Sequence, residues 1–177
     1  RALGLVMRLP KKDQFSITRA KLLDDLAVAM GGRVAEEMIF GYDKVTTGAS
    51  SDIEQATKMA KSMVIKWGLS DKVGPVYYGE DQASQYYGAN DKDFSDETAK
   101  AIDEEVKRIV EDALKRAKTL LTKKKKDLEK LAQSLLEFET LSGVEITDIL
   151  AGKKIKRAKN AGTKTLKSSI PSFDESA

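Results

Sequence analysis

Residues 45–64 carry the clearest structural signal in this chain: Val45-Thr-Thr-Gly-Ala-Ser-Ser-Asp52-Ile-Glu-Gln-Ala-Thr-Lys-Met-Ala-Lys-Ser-Met-Val64. A short glycine-containing loop runs into a helix start, where Ser51 and Glu54 have the S-x-x-E spacing of a capping box. Residues at three- and four-residue steps then predict one buried helix face. That face comprises Ile53, Ala56, Thr57, Ala60, Met63, Val64 and Trp67. The capping pattern places Asp52 at the first helical position.

The ordinary interpretation of Asp52 is structural. A carboxylate in the first turn of a helix complements the positive end of the helix dipole and contributes about 0.3–1 kcal/mol. Acidic residues are common at such positions in any helix. The local pattern alone therefore predicts a stabilising role for Asp52 and no chemistry.

A second helical pattern precedes this loop. Ser16 is its predicted cap, and its apolar face comprises Ile17, Leu22, Leu23, Leu26, Met30, Val34 and Met38. Gly31 and Gly32 interrupt the pattern, and each costs about 1 kcal/mol relative to Ala inside a helix. They therefore predict either a close helix contact or a break. Glu36 and Glu37 follow, and their ordinary interpretation is a solvated helix end.

The rest of the chain is also mainly helical in pattern. Ser95 caps a long predicted helix, and further apolar faces lie at residues 128–138 and 143–150. An apolar run at residues 3–9, which ends before Pro10, predicts a strand, and residues 76–78 form a second piece that looks extended. The sequence predicts a mainly α fold: a compact domain of four or five helices with a short N-terminal strand.

Composition and charge exclude several classes of site and partner. The chain has neither cysteine nor histidine, which excludes disulfides, thiolate metal sites and a histidine-based site built from this chain alone. The absence of cysteine fits a reducing compartment. No run of about eighteen apolar residues predicts a membrane span.

The basic charge is concentrated at the C-terminus. Residues 153–177 contain seven Lys and Arg against Asp174 and Glu175, a net charge of +5, so that residues 1–152 carry −2 of the total of +3. Because no basic stripe lies in residues 1–152, nucleic acid is not an expected partner. The chain is predicted to divide into a folded domain, residues 1–152, and a flexible basic tail, residues 153–177.

Three phrases together resemble a known family: G-G-R-V-A-E-E-M-I-F-G at residues 31–41, T-T-G-A-S-S-D at residues 46–52 and W-G-L-S-D-K-V-G-P at residues 67–75. They closely resemble the peptidase domain of the FtsH family, which are membrane-anchored ATP-dependent zinc metalloproteases. The resemblance extends from about Arg1 to Gly152. It implies that Asp52 is the third zinc ligand, and that Glu36 and Glu37 lie near the metal, where they would orient a ligand.

The same resemblance places the N-terminal strand beside the catalytic cleft. An exposed strand edge can hold an extended peptide through main-chain hydrogen bonds, largely independently of the peptide's sequence. The candidate residues for holding substrate are Leu3, Gly4, Leu5, Val6 and Met7.

The catalytic motif expected by resemblance is absent from these residues. Zinc proteases of this kind take two ligands and a general base from H-E-x-x-H, which this sequence lacks and which the family carries just upstream of the position matching Arg1. The chain, which begins with Arg, is therefore expected to be a piece of a longer protein. On its own it is expected to lack zinc and activity, because a single carboxylate is a poor zinc site.

For that longer protein, the resemblance implies protein substrates, both membrane and cytosolic, and a homo-hexamer. ATP and Mg would bind a separate ATPase domain. N-terminal segments would anchor the protein in a bacterial inner membrane or an organellar membrane, with this domain in a reducing aqueous compartment. The alternative is a non-catalytic helical oligomerisation module from an inactive protease homologue. The residues upstream of Arg1 would distinguish the two.

Overall fold

The computed structural model of this chain describes Val6, residues 16–79 and residues 94–153. The helices within these ranges are α1 (Arg19–Ala29), α2 (Gly31–Phe40), α3 (Ser50–Ile65), α4 (Asp96–Lys123), α5 (Lys125–Phe138) and α6 (Gly143–Leu150). Two 3₁₀ turns, Tyr42–Lys44 and Thr47–Ala49, lie between α2 and α3. No strand is present in these ranges, and the predicted mainly α class is confirmed.

The chain forms two compact units, one ending at Lys125 and the other beginning at Lys126. In the first unit, the long helix α4 packs against α1, α2 and α3, and α1 also contacts α2 and α3. The core contains one apolar face of each helix, as their periodicity predicts. Its members are Leu22, Leu26, Met30, Val34, Ala56, Ala60, Met63, Val64, Ile102, Val106, Ile109, Ala113 and Ala117.

The second unit contains α6, whose N-terminus is closed by a capping box. The backbone N–H of Glu145 donates to Ser142 Oγ at 3.3 Å, and the Ser142 N–H donates to Glu145 Oε2 at 2.7 Å. Ile149 is the buried residue of this helix. None of the helices that the structure describes is both long enough and apolar enough to cross a bilayer.

The predicted helix that begins near Ser16 is two helices separated by Met30. Its cap is Thr18 and not Ser16, because Thr18 Oγ1 accepts the backbone N–H of Lys21 at 3.3 Å. Among the residues that the structure describes, a Cβ added at Gly31 or Gly32 would meet nothing within 4 Å. Of the two expectations for this glycine pair, the break is therefore the correct one.

The start of α3 differs from the predicted capping box. The helix begins at Ser50, and Glu54 forms an ion pair with Lys58 instead of reaching back to the helix start. Because the 3₁₀ turn Thr47–Ala49 leads directly into α3, Ser51 is already helical and cannot cap it. Asp52 nevertheless lies in the first turn. The central residues of the predicted face, such as Ala56, Ala60 and Met63, are buried, but Ile53 and Trp67 at its two ends are exposed.

The two segments predicted to be extended have different outcomes. Within residues 3–9 only Val6 is described; it has no regular secondary structure and is 85% exposed. Residues 76–78 form a loop and not a strand, in which the Tyr78 N–H donates to the Ile65 carbonyl at 2.8 Å. The Tyr78 ring packs edge-on against Phe94, with centroids 5.5 Å apart. Of the predicted tail, residues 154–177 lie outside the described ranges.

A buried carboxylate fastens the loop after α3 to α4. Glu105 is 1% exposed and accepts hydrogen bonds from Ser70 Oγ at 2.9 Å and from Arg108 Nε and Nη2, each at 2.7 Å. Ser70 Oγ in turn accepts the backbone N–H groups of Lys72 and Val73. Burying a charged group is costly unless it is paired and hydrogen-bonded, and Glu105 is both.

We expect Glu105 to contribute a pH-dependent part of the stability. The hydrogen-bonded Arg108 guanidinium lowers the pKa of Glu105 below its ordinary value of 4.5, although burial acts in the opposite direction. Because the folded-state pKa is lowered, this stabilisation is present above about pH 4.5 and is lost as the pH falls through the folded-state value. Glu105→Gln should lower the free energy of unfolding by about 1.5–3 kcal/mol at pH 7, the scale of a hydrogen bond to a charged group.

Urea denaturation of both proteins at neutral and acidic pH measures this effect. The difference between wild type and Glu105→Gln should shrink at acidic pH, where the wild-type carboxylate is protonated as well. Glu104→Gln is the matched control, because Glu104 is exposed and pairs only at the surface with Lys72. A wild-type advantage over Glu105→Gln that is the same at both pH values would contradict the proposed role.

Candidate functional site

Asp52 presents an available carboxylate at the start of α3. It is the third residue of the helix, and its side chain is exposed. Within the described part of the chain, no hydrogen bond or ion pair engages this carboxylate. The two acids expected near it, Glu36 and Glu37, are both engaged in hydrogen bonds. As far as the described residues are concerned, Asp52 is therefore free to accept a ligand or remain in water.

The loop before Asp52 is held by its own side chains. Thr46 has extended backbone angles and caps the 3₁₀ turn Thr47–Ala49, because its Oγ1 accepts the Gly48 N–H at 3.1 Å. Ala49, the last residue of the turn, is buried. The turn contacts both α2 and α3, so that its position depends on both helices.

Glu36 is joined to this loop. The Thr46 hydroxyl donates a hydrogen bond of 2.6 Å to Glu36 Oε1, which links α2 to the residue that caps the turn. A hydrogen bond to an ionised carboxylate is shorter and stronger than one between neutral groups. Glu36 therefore contacts the loop that precedes α3, and its role in orienting a zinc ligand stays a prediction. Thr46, which makes this connection, was not singled out by sequence reasoning.

Glu37 points elsewhere. Its Oε1 accepts a hydrogen bond from Lys118 Nζ at 3.0 Å, which joins α2 to α4. Neighbouring positions on a helix lie on different faces, so the two adjacent acids separate. The interactions of Glu37 are those of a structural ion pair, and no contact joins it to the loop before α3 in the described residues.

The predicted substrate strand is only marginally described. Leu3, Gly4, Leu5 and Met7 lie outside the described residues, and Val6 is exposed. The assignment of these residues to substrate binding stays a prediction.

The described residues supply too few ligands for a zinc ion. A catalytic zinc site uses three protein ligands and one open position. The described residues contain no group of three or more His, Cys, Asp or Glu side chains that could hold a metal ion. Asp52 fits the role of one oxygen ligand, but the described residues do not form a complete zinc site.

Most of the chain is similar in sequence to one family of peptidases. The sequence model of peptidase family M41 matches residues 1–149. An ATP-dependent zinc metalloprotease FtsH from Rickettsia bellii is 55% identical over 156 residues, which are 88% of this chain and 24% of that protein. The protein of the same name from Caulobacter vibrioides is 51% identical over 160 residues, 89% of this chain and 26% of that protein.

A eukaryotic protein is similar as well. An ATP-dependent zinc metalloprotease YME1 homolog from Caenorhabditis elegans is 46% identical over 164 residues, which are 92% of this chain and 22% of that protein. The chain thus spans about a quarter of the length of the curated relatives that it matches.

Proposed function

Because this chain belongs to peptidase family M41, as the peptidase domain of the FtsH type, we propose that it acts as part of an ATP-dependent zinc metalloendopeptidase. The family match covers most of the chain, and the similar proteins bear the name of that activity. For the domain boundary, we propose that residues 1–152 belong to the peptidase domain and that residues 153–177 follow it as a basic tail.

The role we assign to Asp52 is that of one zinc ligand. The observation that carries it is the exposed carboxylate in the first turn of α3, which no other described residue pairs with. It lies beside a loop that two hydrogen bonds hold in place. Zinc, when bound, polarises a peptide carbonyl and makes water a better nucleophile. The contribution of this chain is to hold one anionic oxygen in a fixed place, while the other ligands come from outside the described residues.

For the whole protein, we propose protein substrates from membrane and cytosol, a homo-hexameric assembly and a membrane anchor. ATP and Mg would bind an ATPase domain outside this chain. The names of the similar proteins, ATP-dependent zinc metalloproteases, support ATP dependence and zinc. The absence of cysteine supports placing this domain in a reducing aqueous compartment.

Sequencing the coding region upstream of Arg1 tests the proposal directly. An intact H-E-x-x-H supports the protease, and a substituted motif supports the non-catalytic assembly module. With the motif intact, the longer protein should degrade an unfolded polypeptide in the presence of ATP. A zinc chelator should stop cleavage, and added zinc should restore it. Cleavage that persists after the metal has been removed would refute the zinc mechanism.

A further inference from the structure

We propose that Thr46 is a positioning residue for Asp52. Its hydroxyl hydrogen-bonds both to Glu36 of α2 and to the 3₁₀ turn that leads into α3. These bonds thereby fix the position of the Asp52 carboxylate. This inference rests on the proposed function, because it concerns the residue assigned there as a zinc ligand.

A single hydroxyl makes both connections. Thr46 Oγ1 donates its only proton to Glu36 Oε1 at 2.6 Å and accepts the Gly48 N–H at 3.1 Å. A threonine hydroxyl has one proton to donate and two lone pairs, so the two bonds are compatible. Because a carboxylate is a strong acceptor, the Thr46 hydroxyl proton points towards Glu36. The orientation of Thr46 is therefore set by α2, while the turn is held by Thr46.

The location of the 3₁₀ turn constrains Asp52, because the two are close in sequence. Gly48 precedes Asp52 by four residues, and between them the chain passes through the buried Ala49 into α3. α3 is in turn held by buried residues along its length. Because the loop is held at one end by Thr46 and at the other by α3, the first turn of α3 has little freedom to move.

The close approach of Gly48 to Thr46 gives a second observation. Its φ is not in the left-handed region, so backbone conformation does not require glycine there. A Cβ at this position would lie 3.2 Å from Thr46 Oγ1, a tight contact and the only one within 4 Å that the described residues make. The missing side chain therefore leaves space for the Thr46 hydroxyl against the Gly48 N–H.

The test compares four variants in the longer protein that includes the zinc-binding motif. Thr46→Val removes the hydroxyl and keeps the branched shape, whereas Thr46→Ser keeps the hydroxyl. Thr47→Val is the matched control, because in the described part of the chain the neighbouring exposed Thr47 side chain makes no hydrogen bond. Asp52→Asn tests whether Asp52 is itself a zinc ligand. The measurement is the rate at which zinc is lost to a coloured chelator, which does not depend on catalysis.

Thr46→Val should lose zinc roughly tenfold faster than wild type, the lower end of the effect of removing a group that orients a metal ligand. Thr46→Ser and Thr47→Val should behave like wild type. In the 177-residue chain, Thr46→Val should speed amide hydrogen exchange at Gly48 and leave the exchange of α4 amides unchanged. This pattern separates a local loss of position from general unfolding.

Gly48→Ala tests the coupling between the two positions. In the wild-type background the added methyl group crowds the Thr46 hydroxyl and should also speed zinc loss. In a Thr46→Ala background it should have little further effect, because the crowded group is gone. Such non-additivity is what a double-mutant cycle detects between residues in contact.

The outcomes separate this inference from the proposed function. If Asp52→Asn loses zinc but Thr46→Val retains it as Thr47→Val does, the positioning role is wrong and the ligand assignment stands. If Asp52→Asn retains zinc, the proposed function fails first. If Thr46→Val does not fold, Glu36→Gln decides, because it weakens the same bond; unchanged zinc retention in a folded Glu36→Gln protein would overturn the inference.

Discussion

Asp52→Asn, made in a longer protein that contains H-E-x-x-H, should remove most of the bound zinc and lower peptide cleavage by more than about 100-fold. Changes to groups that only orient ligands already cost about 10–100-fold, so the loss of a ligand should exceed that. Asparagine keeps the size of the side chain and its place in the first turn of α3, so the fold should survive. Metal analysis and an assay with an unfolded polypeptide measure the two effects.

Two controls distinguish the loss of a zinc ligand from the loss of a helix-dipole interaction. In the 177-residue chain the same change should cost at most about 1 kcal/mol, the scale of a lost interaction with the helix dipole. Asp96→Asn is the matched variant, because Asp96 is also an exposed acid in the first turn of a helix. It should leave zinc content and cleavage unchanged. If Asp52→Asn also leaves both unchanged, Asp52 has only the structural role that its position suggests.

Leu26→Ala should produce the largest loss of stability, about 3–4 kcal/mol, within the range measured for Leu→Ala changes in protein cores. Leu26 is 0% exposed and belongs to the core that α1 shares with α3 and α4. The loss combines the transfer free energy of the deleted carbons with the cavity that they leave. Because small domains are stable by only about 5–15 kcal/mol, this is a large fraction of the total.

Val28→Ala is the matched control for this change. Val28 lies two positions further along α1, but its side chain is 52% exposed. Its truncation should cost under about 1 kcal/mol, because surface substitutions usually stay near ±0.5 kcal/mol. Urea denaturation followed by far-UV circular dichroism measures both variants. Equal losses for Leu26→Ala and Val28→Ala would mean that α1 does not pack in the orientation described here.

Features that depend on local sequence were predicted correctly. The long helix starts at the predicted cap, where Ser95 Oγ accepts the Thr98 N–H. Its predicted apolar face is buried from Ile102 to Ala117, whereas Leu120, the last residue of that face, is exposed. The short helix α6 lies where its pattern placed it. Such features follow from the spacing of residues only a few positions apart, and that spacing is visible in the sequence.

The capping predictions show where local patterns fail. Both Ser16 and Ser51 precede apolar faces, yet neither caps a helix. Several residues near a helix start have suitable side chains, and the packing of the preceding turn selects among them. At α3 the buried Ala49 and the turn that contains it determine the start, so that the S-x-x-E spacing has no capping role there.

From the sequence alone one could determine the helical class, the break near Gly31 as one of two alternatives, and the presence of Asp52 at a helix start. Only the tertiary structure showed that Glu36 reaches Thr46 and that Glu105 is buried against Ser70. These partners are 10 and 35 residues apart, and they meet only because of how the helices pack. Periodicity indicates which helix face is buried, but it does not indicate which residues of another element that face will meet.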